Sequence, residues 1–442
     1  MTKYRLMNKK HILIVGIGFF LMATICFTEY NQSPSNSFNI NLGKDGDNFV
    51  LRENYLKIAA TADYTLDFDT TWGGSNHDSG NGITVDGAGN IYITGHTSSF
   101  GAGNSDAFIA KYDSAGTSLL NITWGGNYDD SGNGIALDGA GNLYITGATS
   151  SFGAGYYDAF IAKYDSTGTS LLNITWGGGT YDAATGITVD GAGNLYITGA
   201  TSSFGAGGYD AFIAKYDSAG TSLLNITWGG NYDDSGNGIA LDGAGNLYIT
   251  GITNSFGAGD YDAFIAKYDS AGTSLLNITW SGSNTDVARS IALDGAGNLY
   301  ITGDTSSFGA GYSDAFIAKY DSVGTSLLNI TWGGNNGDSG NGIALDGAGN
   351  LYITGDTSSF GAGYSDAFIA KYDSVGTSLL NITWGGNNGD SGNGIALDGA
   401  GNLYITGYTN SSEEGYTDAF IAKYNLTIDA STDAGIPGPT IL

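Results

Sequence analysis

Apolar residues in this chain come in short runs, each closed off by glycine-rich polar text. Between Gly134 and Trp176 the runs read "GIALD" (Gly134 to Asp138), "NLYITG" (Asn142 to Gly147), "AFIAKYD" (Ala159 to Asp165) and "SLLNITW" (Ser170 to Trp176). Leu, Ile and Tyr in runs this brief favour a pleated strand. Helix is disfavoured, because glycine interrupts every run before an amphipathic turn can repeat. "DGAGN" and "DSTGT" between the runs are tight-turn texts. The four runs therefore predict two hairpins within one antiparallel sheet.

The pattern repeats. Trp72, Trp124, Trp176, Trp228, Trp280, Trp332 and Trp384 follow one another at steps of 52, and Gly303 to Thr354 is identical to Gly355 to Thr406. A fixed period of this size means a solenoid, an array or a propeller. Four antiparallel strands per unit make a propeller blade, whereas a parallel β-helix needs shorter rungs. The phase of the copies points to ring closure. The first copy opens with the Trp strand alone, "YTLDFDTTW" (Tyr64 to Trp72); the last has "AFIAKY" (Ala419 to Tyr424) and no Trp strand after it. One N-terminal strand can thus complete a last blade begun by three C-terminal strands, which leaves no open sheet edge. The expected fold is all-β: a seven-bladed β-propeller of four-stranded antiparallel blades, closed one strand plus three.

The text "WGG…D…GNGIALDGAGNLYITGxTSS", in seven copies over residues 64–425, resembles the SBBP β-propeller repeat family. WD40 repeats have a similar length, but their Gly-His and Trp-Asp signatures are missing. The resemblance implies a propeller and says little of function, since the family is a structural class found largely on extracellular proteins. The strand plan is also similar to that of NHL repeats. That implies "GIALD" as the innermost strand and the Trp strand as the outermost.

Composition narrows the setting. The chain has 442 residues with 74 Gly and 3 Pro, 41% apolar and 12% aromatic content, so it can bury a core around many turns. A net charge of -28 argues against nucleic acid, whose phosphates need Lys and Arg. The single Cys, Cys26, rules out an internal disulfide and any Cys-based metal site in the repeats. Lys3, Arg5, Lys9 and Lys10 flank an apolar run, Ile12 to Phe27. Residues 1–28 read as a signal peptide, with an uncleaved signal anchor that would tether the chain to a membrane as the alternative. Ile25 stands before Cys26 where lipoprotein processing wants a small residue. Residues 29–63 read as a linker or stalk, 64–425 as the propeller and 426–442 as a C-terminal tail.

Each repeated residue has a structural expectation. The Trp is a packing wedge between blades, and Phe108, Phe160 and their equivalents are core. Lys111, Lys163, Lys215, Lys267, Lys319, Lys371 and Lys423 are expected to pair with an aspartate of their own or the next blade. Four recurring Asp positions account for most of the 43 acidic residues and suit turn-making. One of them lies six residues after each Trp: Asp78, Asp130, Asp182, Asp234, Asp286, Asp338 and Asp390. Read as loop residues leading into the inner strand, these are the metal candidates, and Ca²⁺ is the ion their hard oxygens would suit. No other cofactor is implied. The sequons at Asn121, Asn173, Asn225, Asn277, Asn329 and Asn381 fall inside a strand and read as by-products of the repeat; Asn410 and Asn425 are better placed for a glycan.

Nearly identical units place identical groups around a ring, so a specific site has to lie where copies differ. Variation collects in the loop after the Trp ("SNHDSGNG", "NYDDSGNG", "GTYDAATG", "SNTDVARS") and in the loop between second and third strands ("GNSD", "GYYD", "GGYD", "GDYD"). Both should emerge on one face. That face is rich in Tyr, and Tyr128, Tyr156, Tyr157, Tyr181, Tyr209, Tyr232 and Tyr261 are the candidate ligand-binding residues. No catalytic triad, phosphate loop or zinc site is legible. The expectation is a non-enzymatic, secreted or cell-surface binding and adhesion propeller that meets an extracellular glycan or protein surface. A structural spacer is the alternative, ahead of a polysaccharide-active enzyme and a quinone-type redox propeller.

Overall fold

The computed structural model describes residues 42–45, 48–51, 62–411 and 416–428. The signal or anchor segment with Cys26 and the tail from residue 429 lie outside the described residues. Within the stretch read as a stalk, Leu42–Asp45 and Asn48–Leu51 pair as a short antiparallel hairpin.

Residues from Asp63 to Thr427 form one compact unit, with seven four-stranded sheets. The first blade runs outward in chain order: inner strand Asp78–Val85, then Ile91–Thr97, Asp106–Tyr112 and outer strand Ser118–Trp124. Five blades repeat this order. The last is built from Asp390–Leu397, Leu403–Thr409 and Asp418–Ile428, and its outer strand is the N-terminal Ala62–Trp72. The one-plus-three closure is therefore present. The Tyr64 hydroxyl lies 3.0 Å from both the Tyr352 hydroxyl and the Gly401 carbonyl, and Asp67 pairs with Lys423 at 2.9 Å.

The core is divided among the seams between blades. At one seam, Tyr92, Ala107 and Ile109 of the first blade pack on Leu143, Ile145, Phe160 and Ala162 of the second. At the closing seam, Tyr404, Ala419 and Ile421 pack on Ile91, Ile93 and Phe108. Second and third strands are buried almost throughout, while outer strands alternate exposed and half-buried residues. Each Trp crosses a seam as expected. Trp72 stacks on Phe108 at 3.8 Å and Trp124 on Phe160 at the same distance.

The sequon Asn residues belong to this wedge. Trp72 Nε1 donates to Asn121 Oδ1 at 2.8 Å, and Trp124 does the same to Asn173. In the closing strand Asp69 takes the role, accepting from Trp384 Nε1 at 3.0 Å.

Two features of the inner strand depart from the sequence reading. The strand starts at the Asp itself, so Asp78 and its equivalents pair with Thr97 and its equivalents and are not loop residues. A bulge after Gly80 also leaves Asn81 unpaired in the ladder. The bulge bends the strand and turns the extra residue toward the axis of the ring. Gly95, on the neighbouring strand, sits so close to the Ser79 carbonyl that a Cβ there would collide with it.

Candidate functional site

The two variable loops share one face, as expected. Asp130 N donates to Ser105 O at 2.8 Å and Asp182 N to Tyr157 O at 2.8 Å, so the loop between second and third strands of one blade is bonded to the loop that enters the next. The opposite face carries the uniform turns. Asp86 shows their chemistry: Oδ1 accepts from Ala88 N (2.9 Å) and Asn90 N (2.8 Å), and Oδ2 from Asn90 Nδ2 (2.7 Å) and Tyr92 OH (3.0 Å). Gly89 closes the turn at φ 81°, where other residues are strained. Burial pushes Asp86 up, but the combined donors outweigh it and hold the carboxyl below its ordinary value.

On the variable face four tyrosines form a chain of rings across the second and third blades. Tyr156 lies 6.0 Å from Tyr157, Tyr157 5.5 Å from Tyr181, and Tyr181 5.6 Å from Tyr209. Tyr157 and Tyr181 are half-buried; Tyr156 is 80% exposed. Burial raises the Tyr157 and Tyr181 hydroxyls above their ordinary range, with the Asp129 charge adding to the effect at Tyr157. Tyr128 and Tyr232 stand on equivalent loops and are exposed, at 63% and 64%. Tyr261 is half-buried on a later loop. The structure thus joins Tyr156, Tyr157, Tyr181 and Tyr209 and leaves Tyr128, Tyr232 and Tyr261 outside that chain.

The candidate metal ring is held differently. Asp78, Asp130, Asp182, Asp234, Asp286, Asp338 and Asp390 are buried, one per blade. Asp130 Oδ2 accepts from Gly126 N at 2.8 Å and Ser151 Oγ at 2.7 Å, and its Oδ1 from Thr149 Oγ1. These partners are donors, which serve a carboxylate as a loop anchor. Each of these Asp faces a second carboxylate across the seam, Asp130 facing Asp106 with Gly125 between them. Burial first, and then the Asp130 charge, raises Asp106 against the pull of its Gly103 donor. Among the described residues no three His, Cys, Asp or Glu side chains converge as a metal site.

The lysines correct the sequence reading. Six of them, from Lys111 to Lys371, sit over a tyrosine of their own blade, as Lys111 does over Tyr92 at 4.9 Å. Tyr92 and Lys111 are cross-strand partners, which brings the ammonium onto the ring face. Several also reach the next blade's turn, as Lys319 Nζ does to Ser374 O at 3.2 Å. Among the described residues, only Lys423 pairs with an aspartate, Asp67.

The sequence reading missed the channel. The bulged residue of each inner strand lines it: Asn81, Asn133, Thr185, Asn237, Arg289, Asn341 and Asn393. All but Arg289 donate to a carbonyl of the next blade, at 2.7–3.0 Å, from Asn81 to Gly132 O around to Asn393 to Gly80 O. Arg289 instead directs Nε to Asp304 Oδ1 at 2.7 Å. Above this ring opens a cavity of about 530 Å³ that includes Arg289, Asp304 and Asp356. The signal lies in "VARS" set against "SGNG" and in the varying residue of "LYITGxT".

A closed ring of seven antiparallel blades, with apolar seams and one variable face, defines a β-propeller of the repeat type. The chain belongs to the SBBP family of β-propeller repeats, which matches residues 72–101, 117–153, 221–257, 276–309, 327–361 and 379–413. The unmatched stretch 154–220 holds the same strand plan and all four residues of the tyrosine chain.

The chain is 26% identical over 167 residues to the regulatory protein FlaEY of Caulobacter vibrioides, covering 32% of this chain and 18% of that protein. Two solved structures from B. thetaiotaomicron also match: the extracellular domain of a candidate one-component system (TM-score 0.46, 14% identity) and that of a candidate hybrid two-component system (TM-score 0.47, 13% identity). They cover 80% and 81% of this chain and 39% of each of those chains. The chain thus spans well under half the length of these relatives.

Proposed function

We propose that this chain is a non-enzymatic, secreted or cell-surface binding propeller that recognises glycans or surface proteins through its variable-loop face. The observation that carries the reading is the chain of tilted and edge-on ring contacts through Tyr156, Tyr157, Tyr181 and Tyr209. Aromatic planes beside carboxylates such as Asp129 suit a sugar, whose C–H face stacks while its hydroxyls take hydrogen bonds. Exposed tyrosines recur around the ring at Tyr128, Tyr232, Tyr312 and Tyr364, so several weak contacts can add up to avidity on a repetitive surface. The near-identity of the blades supports a binding role over catalysis, and the basic, apolar N-terminus supports export.

The test is a glycan array probed with the full chain in Ca²⁺ and again in EDTA, with a Tyr157→Ala/Tyr181→Ala variant alongside. Selective binding that disappears in the variant supports the reading, and EDTA sensitivity would give the Asp ring a metal after all. A blank array, with no capture by cell-surface protein either, would favour a spacer without ligand.

A further inference from the structure

Six of the seven channel side chains are committed to the scaffold, because each donates to the neighbouring blade. Arg289 is the exception. It is 44% exposed, and beyond Nε no donor of its guanidinium has a protein partner among the described residues. A second departure lies beside it. At the varying residue of "LYITGxT" the other blades carry His96, Ala148, Ala200, Ile252 and Tyr408, whereas the fifth and sixth carry Asp304 and Asp356. Asp356 Oδ1 accepts long bonds from Asn341 Nδ2 (3.2 Å) and Ser391 Oγ (3.4 Å), and among the described residues its other oxygen has no protein donor. The Arg289 charge reaches Asp356. Arg289, Asp304, Asp356, Asn341 and Ser391 line the same cavity of about 530 Å³, a size typical of small-molecule sites.

The charges select the ligand. An anion alone would meet Arg289 but also two carboxylates. A cation alone would meet the carboxylates but leave the remaining N–H donors of Arg289 without an acceptor. A neutral sugar would leave both signs unused. A molecule with a carboxylate and an ammonium on one carbon answers both. We propose that the channel mouth binds a small zwitterion of the α-amino acid class, with Arg289 holding its carboxylate and Asp356 its ammonium. The guanidinium fork matches a carboxylate through paired N–H donors. Burial raises the Asp356 carboxyl, only partly offset by the Asn341 donor and Arg289; a bound ammonium would draw it down again.

This site is separate from the tyrosine chain of the second and third blades, so either reading can fail alone. The experiment is isothermal titration calorimetry of the full chain with the standard L-amino acids, one at a time. N-acetylglycine lacks the ammonium and glycinamide lacks the carboxylate, and both serve as controls. At least one amino acid is expected to bind with Kd below about 1 mM, and both controls about tenfold more weakly or worse. Arg289→Asn and Asp356→Ala should each weaken binding about tenfold or more, while Tyr157→Ala leaves it unchanged. Both channel substitutions copy residues that other blades carry at the same place, Asn237 and Ala200, and unchanged melting would show that they fold. The proposal is overturned if no amino acid binds at about 10 mM, if either control binds as well as the amino acid, or if the folded variants bind like the parent.

Discussion

The two faces of the propeller carry opposite chemistry. On the uniform face every turn is an aspartate folded back on its own loop, as Asp138 binds Ala140 N, Asn142 N, Asn142 Nδ2 and Tyr144 OH. Its side chains are spent on the backbone. On the variable face the loops are anchored from below by buried Asp, Ser and Thr, and their tips are free to differ. Tyr156, Tyr157, Tyr181 and Tyr209 lie where the copies diverge most. On the proposed reading, stability and recognition fall to different ends of the same strands, which lets loop text change without unfolding the ring.

Substitutions can break that division. The largest effect is expected from deleting residues 64–72, which strips the last blade of its outer strand and of the Tyr64–Tyr352 contact. Calorimetry should show the melting temperature fall on the order of 10 °C or more, with loss of a single transition. Phe264→Ala comes next. This ring is fully buried and stacks on Trp228 at 3.8 Å, so chemical denaturation should show a loss of about 3–5 kcal/mol. Asp138→Ala on the uniform face removes the acceptor of the buried Tyr144 hydroxyl and should cost about 1–3 kcal/mol by the same assay.

The pH profile sharpens the comparison, because the carboxylates of the two faces are shifted in opposite directions. Turn carboxyls such as Asp86, Asp138 and Asp190 are pushed up by burial but held lower overall by their donors, and hydrogen bonds from Thr167 and Thr169 bring Asp165 to about 2. Their folded values lie below the unfolded one, so their contribution is present above about pH 4 and fades as pH falls toward about 2. The seam carboxyls Asp106, Asp158, Asp210 and Asp262 are raised, chiefly by burial. They make the fold more stable as pH falls through the window just above about 4. The melting temperature should pass through a maximum on the acid side of neutrality and drop steeply below about pH 4. A flat profile from neutral to about pH 3 would contradict these assignments. The smallest effect belongs to Tyr128→Ala, an exposed loop residue whose removal should stay within about 0.5 kcal/mol of the parent by denaturant titration.

Most of the fold was legible because the repeat states it seven times. The short runs, the tight turns and the missing Trp strand at the C-terminal end sufficed for blade number and closure. Side-chain partners were less legible. The lysines looked like ion-pair donors in an acidic chain, but strand register sets Tyr92 opposite Lys111 and brings the ammonium over the ring. The sequons looked accidental, yet each Asn is the acceptor for a Trp one blade away, a relation that crosses a seam. The channel was hidden for a geometric reason. "SGNG" reads as loop text, and only the bulge in the inner strand reveals that its Asn, or Arg289 in its place, faces the axis.

The division between faces is tested most directly by measuring glycan-array binding and melting temperature together for two variants. One is Tyr157→Ala/Tyr181→Ala on the variable face and the other Asp190→Ala on the uniform face. The account predicts that the tyrosine variant loses binding and melts within about 2 °C of the parent, while the aspartate variant melts earlier and, below its transition, binds as the parent does. A tyrosine variant that melts early yet keeps full binding, or an aspartate variant that loses binding while folded, would contradict it.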